Sequence, residues 1–344
     1  VSELTQLVSG LIECGEVSAV AAAVAQRGRI VASAGLGGPA GHDPLGWRFD
    51  LASLTKPLVA TAALALVRAQ RLDLDAPLGT WLPELPQRVA RRPLWALLAH
   101  RSGLAAWTSL AARSWSLADV PRRVGEAGLA GAAPAVYSDL GYLVLGLLVE
   151  RVAGVELERV VADRVSTPLG LVGLSGPRRE DPSVCPVVLD RCREVELAEA
   201  QQLTIPDLGP PARGWPQDGN AAYLGRWCGH AGAFGTAMDL LRCGQEWLAP
   251  GRVLTSSLVE RALATPRRGR FALGWWRRRV AGAAGPALGP RAFGHLGFAG
   301  GSWWIDPERD LVAVLLAHRT RVDVDLTETR RRFHRMAVAA AERD

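Results

Sequence analysis

Ser53 and Lys56 stand three residues apart in the run Phe49-Asp50-Leu51-Ala52-Ser53-Leu54-Thr55-Lys56. A serine hydroxyl is a weak nucleophile. It attacks a carbonyl only when a neighbouring group takes its proton and donors receive the oxyanion. A desolvated lysine can shed its proton and serve as that base, whereas arginine stays charged and cannot. Among the 40 Lys and Arg residues of this chain, Lys56 is the single lysine. Serine fills only 16 of the 344 positions, so a serine three residues before that one lysine points to chemistry rather than to solvation.

These two side chains need a helix to hold them on one face. Pro57 lacks an N–H and fits only a first helical turn, so the helix is predicted to start close to Ser53 and to run to Gln70. Ser53 then sits where free N–H groups and the helix dipole favour developing negative charge, with Lys56 one turn further on. Apolar spacing at Leu4, Leu7, Val8, Leu11 and Ile12 predicts a helix over 1–16. A β-hairpin over 20–24 and 30–33, turning at Arg27-Gly28, follows it. The stretch 75–240 reads as short helices and loops, including 94–99, 142–152, 157–165 and 237–248. Strand character returns at 271–276, 301–305 and 311–317, before a closing helix over 327–341. Strands at both ends around a helical middle predict an α+β fold with an antiparallel sheet flanked by helices. Residues 1–75 plus 241–344 would form the sheet lobe and 76–240 an inserted, mostly helical lobe, with the active site between them.

Composition narrows the rest. A chain that is 49% hydrophobic and 22% charged is not a disordered tail. Its longest apolar run, 57–67, is too short to cross a bilayer, so no membrane partner is expected. The first residues lack a basic segment followed by an apolar stretch, which reads as a cytoplasmic chain. Five scattered cysteines without a C-x-x-C pair fit reduced, buried thiols, and no spacing of His, Cys or Glu suggests a metal; no cofactor is expected. The net charge of +6 comes from arginines spread along the chain. The runs 277–279 and 330–332 read as solvated faces rather than as a nucleic-acid surface.

The segment 49–56 resembles the active-site segment of the serine β-lactamase and penicillin-binding-protein superfamily, and most closely its class C-like branch, which includes family VIII carboxylesterases. Further segments agree in order along the chain. Leu97-Leu98-Ala99-His100-Arg101-Ser102-Gly103-Leu104 resembles its L-L-x-H-x-S-G-L loop, and Tyr137-Ser138-Asp139-Leu140-Gly141-Tyr142 its Y-S-N-x-G-Y element. Gly229-His230-Ala231-Gly232 resembles a junction of the esterase-like members. His295-Leu296-Gly297-Phe298, leading into Ser302-Trp303-Trp304, resembles the strand that closes the site. The resemblance implies that Ser53 is the acylated nucleophile, Lys56 its proton partner and Tyr137 the general base that activates water. It implies an oxyanion hole from the N–H groups of Ser53 and Phe298, and a substrate wall that includes Asp139, His295 and Gly297. His100 and His230 read as loop-packing hydrogen bonders. Trp107, Trp215 and Trp227 fall where they could line an acyl pocket.

Two departures carry weight. Asp139 stands where the family has Asn; a carboxylate beside Lys56 favours the ammonium, and that cation would hold Tyr137 partly as tyrosinate. His295 stands where β-lactamases have Lys in K-T-G, and His318 where class C enzymes have Asn; a neutral histidine holds a substrate carboxylate poorly. Both shift the expectation from β-lactams towards neutral substrates. The reading is a serine hydrolase working through an acyl-enzyme on small-molecule esters or amides. Three alternatives stay open: an acyltransferase with the same Ser/Lys/Tyr site, a true β-lactamase or D-aminopeptidase, and a catalytically silent binding or sensor domain.

Overall fold

Both ends of the chain build one sheet. The computed structural model describes residues 2–129, 135–188, 192–210, 212–279 and 282–343. Its strands are β1 (Val17–Gln26), β2 (Arg29–Leu36), β3 (Phe49–Asp50), β4 (Phe234–Gly235), β5 (Trp276–Arg277), β6 (Phe293–Leu296), β7 (Ser302–Asp306) and β8 (Leu311–Arg319). Six of them form an antiparallel sheet in the order β2-β1-β8-β7-β6-β5, and β3 pairs with β4 separately. The longest helices near the sheet and the site are α1 (Glu3–Glu13), α2 (Thr55–Arg68), α3 (Asp139–Ala153), α4 (Ala237–Leu248) and α5 (Thr327–Ala341). Helices and an antiparallel sheet in these proportions make the α+β class that the sequence predicts.

The sheet is buried on both faces, and alternation along each strand divides the core in two. Ala19, Ala21 and Ala23 of β1 join Val312, Val314 and Leu316 of β8 on the face that receives α4. Val20, Ala22 and Val24 join Leu311, Ala313 and Leu315 on the face covered by α1 and α5. α2 is buried on every side from Thr55 to Leu66, which is why its sequence is apolar all round rather than striped. α3 packs against α2 with its amino-terminal end at the candidate site, capped by Ser138, whose hydroxyl accepts the Gly141 N–H.

Some sequence expectations shift. The α-helix starts at Thr55, and Ser53 lies in the 3-10 turn Ala52–Leu54 that precedes it. Of the predicted strand 271–276, only Trp276 pairs as part of β5. Gly274 adopts φ +86° and bends the segment back, against Ala60, so that Phe271 bridges Trp276. The two arginine runs are not simply solvated. Arg277 donates to the carbonyls of Leu263, Pro266, Gly269 and Phe271, and Arg330 to those of Gly297 and Gly300, so each guanidinium satisfies a loop from inside. The thiols of Cys14, Cys185, Cys228 and Cys243 are unpaired, and all but Cys14 are buried; the side chain of Cys192 lies outside the described residues. Among the described residues no helix is long and apolar enough to cross a membrane.

Candidate active site

Ser53 projects from its 3-10 turn because the chain just before it is forced into an uncommon shape. Ala52 has φ +44°, a left-handed conformation that costs a non-glycine residue on the order of 1–3 kcal/mol. The turn's N–H at Ala52 is held by Asp50 Oδ1 at 2.8 Å. One helical turn on, Lys56 is fully buried and its Nζ lies 2.8 Å from Ser53 Oγ. It also lies 3.0 Å from the His230 carbonyl and 2.7 Å from Asp139 Oδ1. Two hydrogen bonds and an ion pair with a carboxylate favour the cation.

The backbone makes that third ligand possible. At Gly229 a Cβ would stand 1.7 Å from the Tyr142 carbonyl oxygen of α3, so only glycine lets the 229–230 segment cross α3 closely enough to offer the His230 carbonyl. The His230 ring meanwhile holds Asp218, with Nε2 2.9 Å from Oδ1. Asp218 in turn accepts the Ala221 N–H. Burial would raise the Asp218 carboxyl, but His230 and the Ala221 N–H outweigh it and hold the group low.

Tyr137, half-buried, packs its ring 4.5 Å from that of His100 and sits beneath Lys56 Nζ, 4.9 Å from the ring centroid. Its hydroxyl interacts with both Lys56 and Ser53. Burial pushes the phenol up more than the nearby Lys56 cation pulls it down, so it stays above its ordinary value. Burial works to lower Lys56, but Asp139 and Tyr137 prevail and push it up to about 12. The surroundings of Lys56 thus favour the ammonium, and those of Tyr137 the phenol rather than the tyrosinate.

Ser53, Tyr137, Asp139, Gly297 and Phe298 all line one cavity of about 520 Å³. Its walls are largely apolar, with Trp107, Leu197, Phe271 and Trp276. Trp107 is thus at the cavity, while Trp227 is in the core and Trp215 stacks under Arg179. Gly297 and Phe298 leave β6 in a turn closed by the Gly297 N–H to the Gly301 carbonyl. Arg330 grips that turn from behind, and burial together with neighbouring Arg319 lowers its guanidinium to about 10. Arg319, which donates to the Phe298 carbonyl, and Arg330 also reach the cavity wall.

His295 differs from expectation. It is buried behind the wall, with its ring packed against those of Tyr137 and Trp276, and the cavity meets Leu296 instead. Its Nδ1 faces the Leu296 carbonyl at 2.8 Å. Burial and then Lys56 drive it down to about 3, so it is neutral. His100 accepts the Ser138 N–H at Nδ1, as a loop-packing residue would. His318 anchors the start of the turn that carries Ser53, its Nε2 accepting the Asp50 N–H at 3.0 Å. Burial lowers it to about 4. Asp50, Asp218 and the His230 carbonyl are parts of the site that residue spacing did not reveal. Each has a partner from a separate part of the chain: the Gln217 N–H for Asp50, the His230 ring for Asp218 and Lys56 Nζ for the His230 carbonyl.

The chain has recognisable relatives among known proteins. The family model for beta-lactamase matches residues 4–335. Esterase EstB of Burkholderia gladioli is 31% identical over 323 residues, which span 78% of this chain and 77% of the esterase. A putative D-alanyl-D-alanine carboxypeptidase of Escherichia coli K12 is 27% identical over 207 residues, 54% of this chain and 45% of that protein. Among solved structures, EstCE1, described as a hydrolase with promiscuous acyltransferase activity, aligns with a TM-score of 0.75 at 20% identity over 96% of this chain and 97% of its own. A penicillin-binding protein homologue from Caulobacter crescentus aligns with a TM-score of 0.73 at 20% identity over 98% of both chains. The two solved structures share the fold.

Proposed function

We propose, from the premise that this chain belongs to the beta-lactamase family and is an esterase-like serine hydrolase, that Ser53 is its nucleophile and that it hydrolyses small neutral esters through an acyl-enzyme. One observation carries the reading: Ser53 lines the cavity while Lys56 Nζ, 2.8 Å from Ser53 Oγ, is buried against the Asp139 carboxylate at 2.7 Å. An ammonium held by a carboxylate is poorly placed to accept a proton, which leaves Tyr137 as the base and Lys56 as the charge that steadies its phenolate.

In this scheme the Ser53 proton passes to the Tyr137 oxygen as Oγ bonds to the substrate carbonyl carbon. The N–H groups of Ser53 and Phe298 receive the oxyanion, the second held outward by the turn that Arg319 and Arg330 grip. Tyr137 returns its proton to the departing alkoxide, then takes one from water, which attacks the acyl carbon. Ser53 recovers its proton as the acid leaves. Because the phenol is raised by burial, its working form is scarce at neutral pH and the rate climbs into the alkaline range. Arg193, Arg270, Arg319 and Arg330 line the cavity, so the preference for uncharged esters rests on its largely apolar wall at Trp107, Phe271 and Trp276 rather than on the neutral, buried His295. The apolar wall at Trp107, Phe271 and Trp276 also suits an alcohol acceptor, and so favours acyl transfer as a side reaction.

We take residues 1–75 with 241–344 as the sheet lobe and 76–240 as the inserted lobe. This is supported by a sheet drawn from 17–36 and 276–319 and by a cavity lined from both sides. The cytosol is the compartment we assign, on the unpaired thiols at Cys14, Cys185, Cys228 and Cys243.

The test is turnover of p-nitrophenyl acetate and butyrate, with nitrocefin alongside, by wild type and Ser53→Ala. Ester turnover that vanishes in Ser53→Ala, with little nitrocefin cleavage, is the expected result. Strong nitrocefin cleavage would overturn the substrate preference, and ester turnover that survives in Ser53→Ala would overturn the nucleophile.

A further inference from the structure

We infer that Asp50 is a positioning residue that sets the nucleophile turn and the cradle of Lys56 together; this rests on the assignment of Ser53 and Lys56 above. The Asp50 carboxylate is buried, and its two oxygens face different segments. Oδ1 accepts the Ala52 N–H at 2.8 Å and Oδ2 accepts the Gln217 N–H at 2.8 Å. The first bond closes a local turn that holds Ala52 at φ +44°, immediately before Ser53. The second reaches the residue beside Asp218, whose carboxylate orients the His230 ring, and the His230 carbonyl in turn receives Lys56 Nζ.

The bonds close a circuit: Asp50 to Ala52 and Ser53, Ser53 to Lys56, Lys56 to the 230 carbonyl, and back through Asp218 and Gln217 to Asp50. Asp50 is itself pinned, since His318 Nε2 accepts its N–H while His318 Nδ1 faces the Pro186 carbonyl at 2.9 Å. That gives His318 a purpose separate from substrate contact. It fixes the strand from which the turn departs.

A carboxylate is required at this point because both neighbours are N–H donors. Asparagine has the same shape but one acceptor oxygen, so its NH2 would face an N–H and one of the two ties would be lost. The turn could then relax from its left-handed φ, moving Ser53 Oγ away from Lys56 and Tyr137 without altering the cavity walls. A displacement of that kind lowers turnover far more than binding.

The experiment measures kcat, KM and Tm with p-nitrophenyl butyrate for wild type, Asp50→Asn, Asp50→Asn with Ala52→Gly, and Ser53→Ala. Asp50→Asn is expected to lower kcat about 10²-fold with KM changed less than about threefold. Adding Ala52→Gly is expected to recover about tenfold of the lost kcat, because glycine adopts the left-handed φ without strain. A merely structural Asp50 would show a lower Tm with unchanged kcat, or a loss that Ala52→Gly does not restore, and either result overturns the inference. If Asp50→Asn does not fold, Asp50→Glu takes its place: it keeps the charge but moves both oxygens, and an unaltered kcat in that variant also overturns it. Turnover surviving in Ser53→Ala would instead sink the nucleophile assignment, so the two failures are told apart.

Discussion

Ser53 and Ser302 each lie within hydrogen-bond reach of a nitrogen side chain, Lys56 Nζ at 2.8 Å and His334 Nε2 at 3.2 Å. By geometry alone Ser302 looks the more activated. His334 Nδ1 faces the Ala284 carbonyl at 2.8 Å, so its Nε2 is left as an acceptor for the serine proton, in the manner of a nucleophile, base and orienter. Yet Ser302 and His334 are completely buried between the sheet and α5, and burial lowers the imidazole to about 4, so it is a feeble base. Ser53 is served by a cation instead of a base, on a turn that carries backbone strain, at the edge of a cavity of about 520 Å³. The contrast teaches that a serine beside a nitrogen is a packing solution until access and a proton acceptor are both present. Ser302 has the acceptor without access. Ser53 has access, and in the proposed mechanism borrows its acceptor from Tyr137.

Labelling separates the two serines most sharply. A fluorophosphonate is expected to label wild type and Ser302→Ala, and to leave Ser53→Ala unlabelled, with ester turnover in Ser53→Ala reduced by at least about 10⁴-fold. Label found at Ser302 would mean that the sealed pair opens, and the comparison would fail. Tyr137→Phe comes next. Removing the phenolic oxygen while keeping the ring packed on His100 is expected to reduce kcat about 10²- to 10³-fold with little change in Tm. A variant with near wild-type kcat would return the base role to Lys56.

Asp139→Asn sharpens the electrostatic half of the contrast. The carboxylate raises both Lys56 and Tyr137, so its loss lowers both. In the proposed mechanism the working form of Tyr137 is deprotonated, and that of Lys56 is protonated. The rising limb of kcat/KM should therefore move to lower pH, and a falling limb should enter from the alkaline side as Lys56 loses its proton. An unmoved profile would reduce Asp139 to a residue at the start of α3.

Sequence reading reached Ser53, Lys56, Tyr137 and Asp139 because each is marked by its own chemistry and by a local motif. It reached the helix 327–341 and the strands β1, β2, β7 and β8 through apolar periodicity, while β6 came from the resemblance and β5 was met only at Trp276. It did not reach the His230 carbonyl, since every residue carries one and only the crossing at Gly229 singles it out. The strain at Ala52 was equally hidden, because alanine there gives no hint of a positive φ. His295 lies on the side of the sheet that faces the site, but the rings of Tyr137 and Trp276 come between it and the cavity, a covering that the sequence does not announce. Arg277 and Arg330 looked like solvated charge because the carbonyls they satisfy belong to loops whose paths are set by tertiary packing.

Ser302→Ala is the smallest of the expected effects, and the one that isolates structure from chemistry. Deleting the hydroxyl leaves His334 Nε2 without its partner in a place water does not reach. The cost is that of one buried unsatisfied acceptor, about 1–2 kcal/mol, and so a fall of a few degrees in Tm. Turnover of p-nitrophenyl butyrate should stay within about twofold of wild type, since Ser302 pairs with β6 and β8 but does not border the cavity. A large loss of kcat with Tm intact would show that β7 transmits to the turn at Gly297 and Phe298. The two serines would then belong to one functional unit rather than to two separate solutions of the same packing problem.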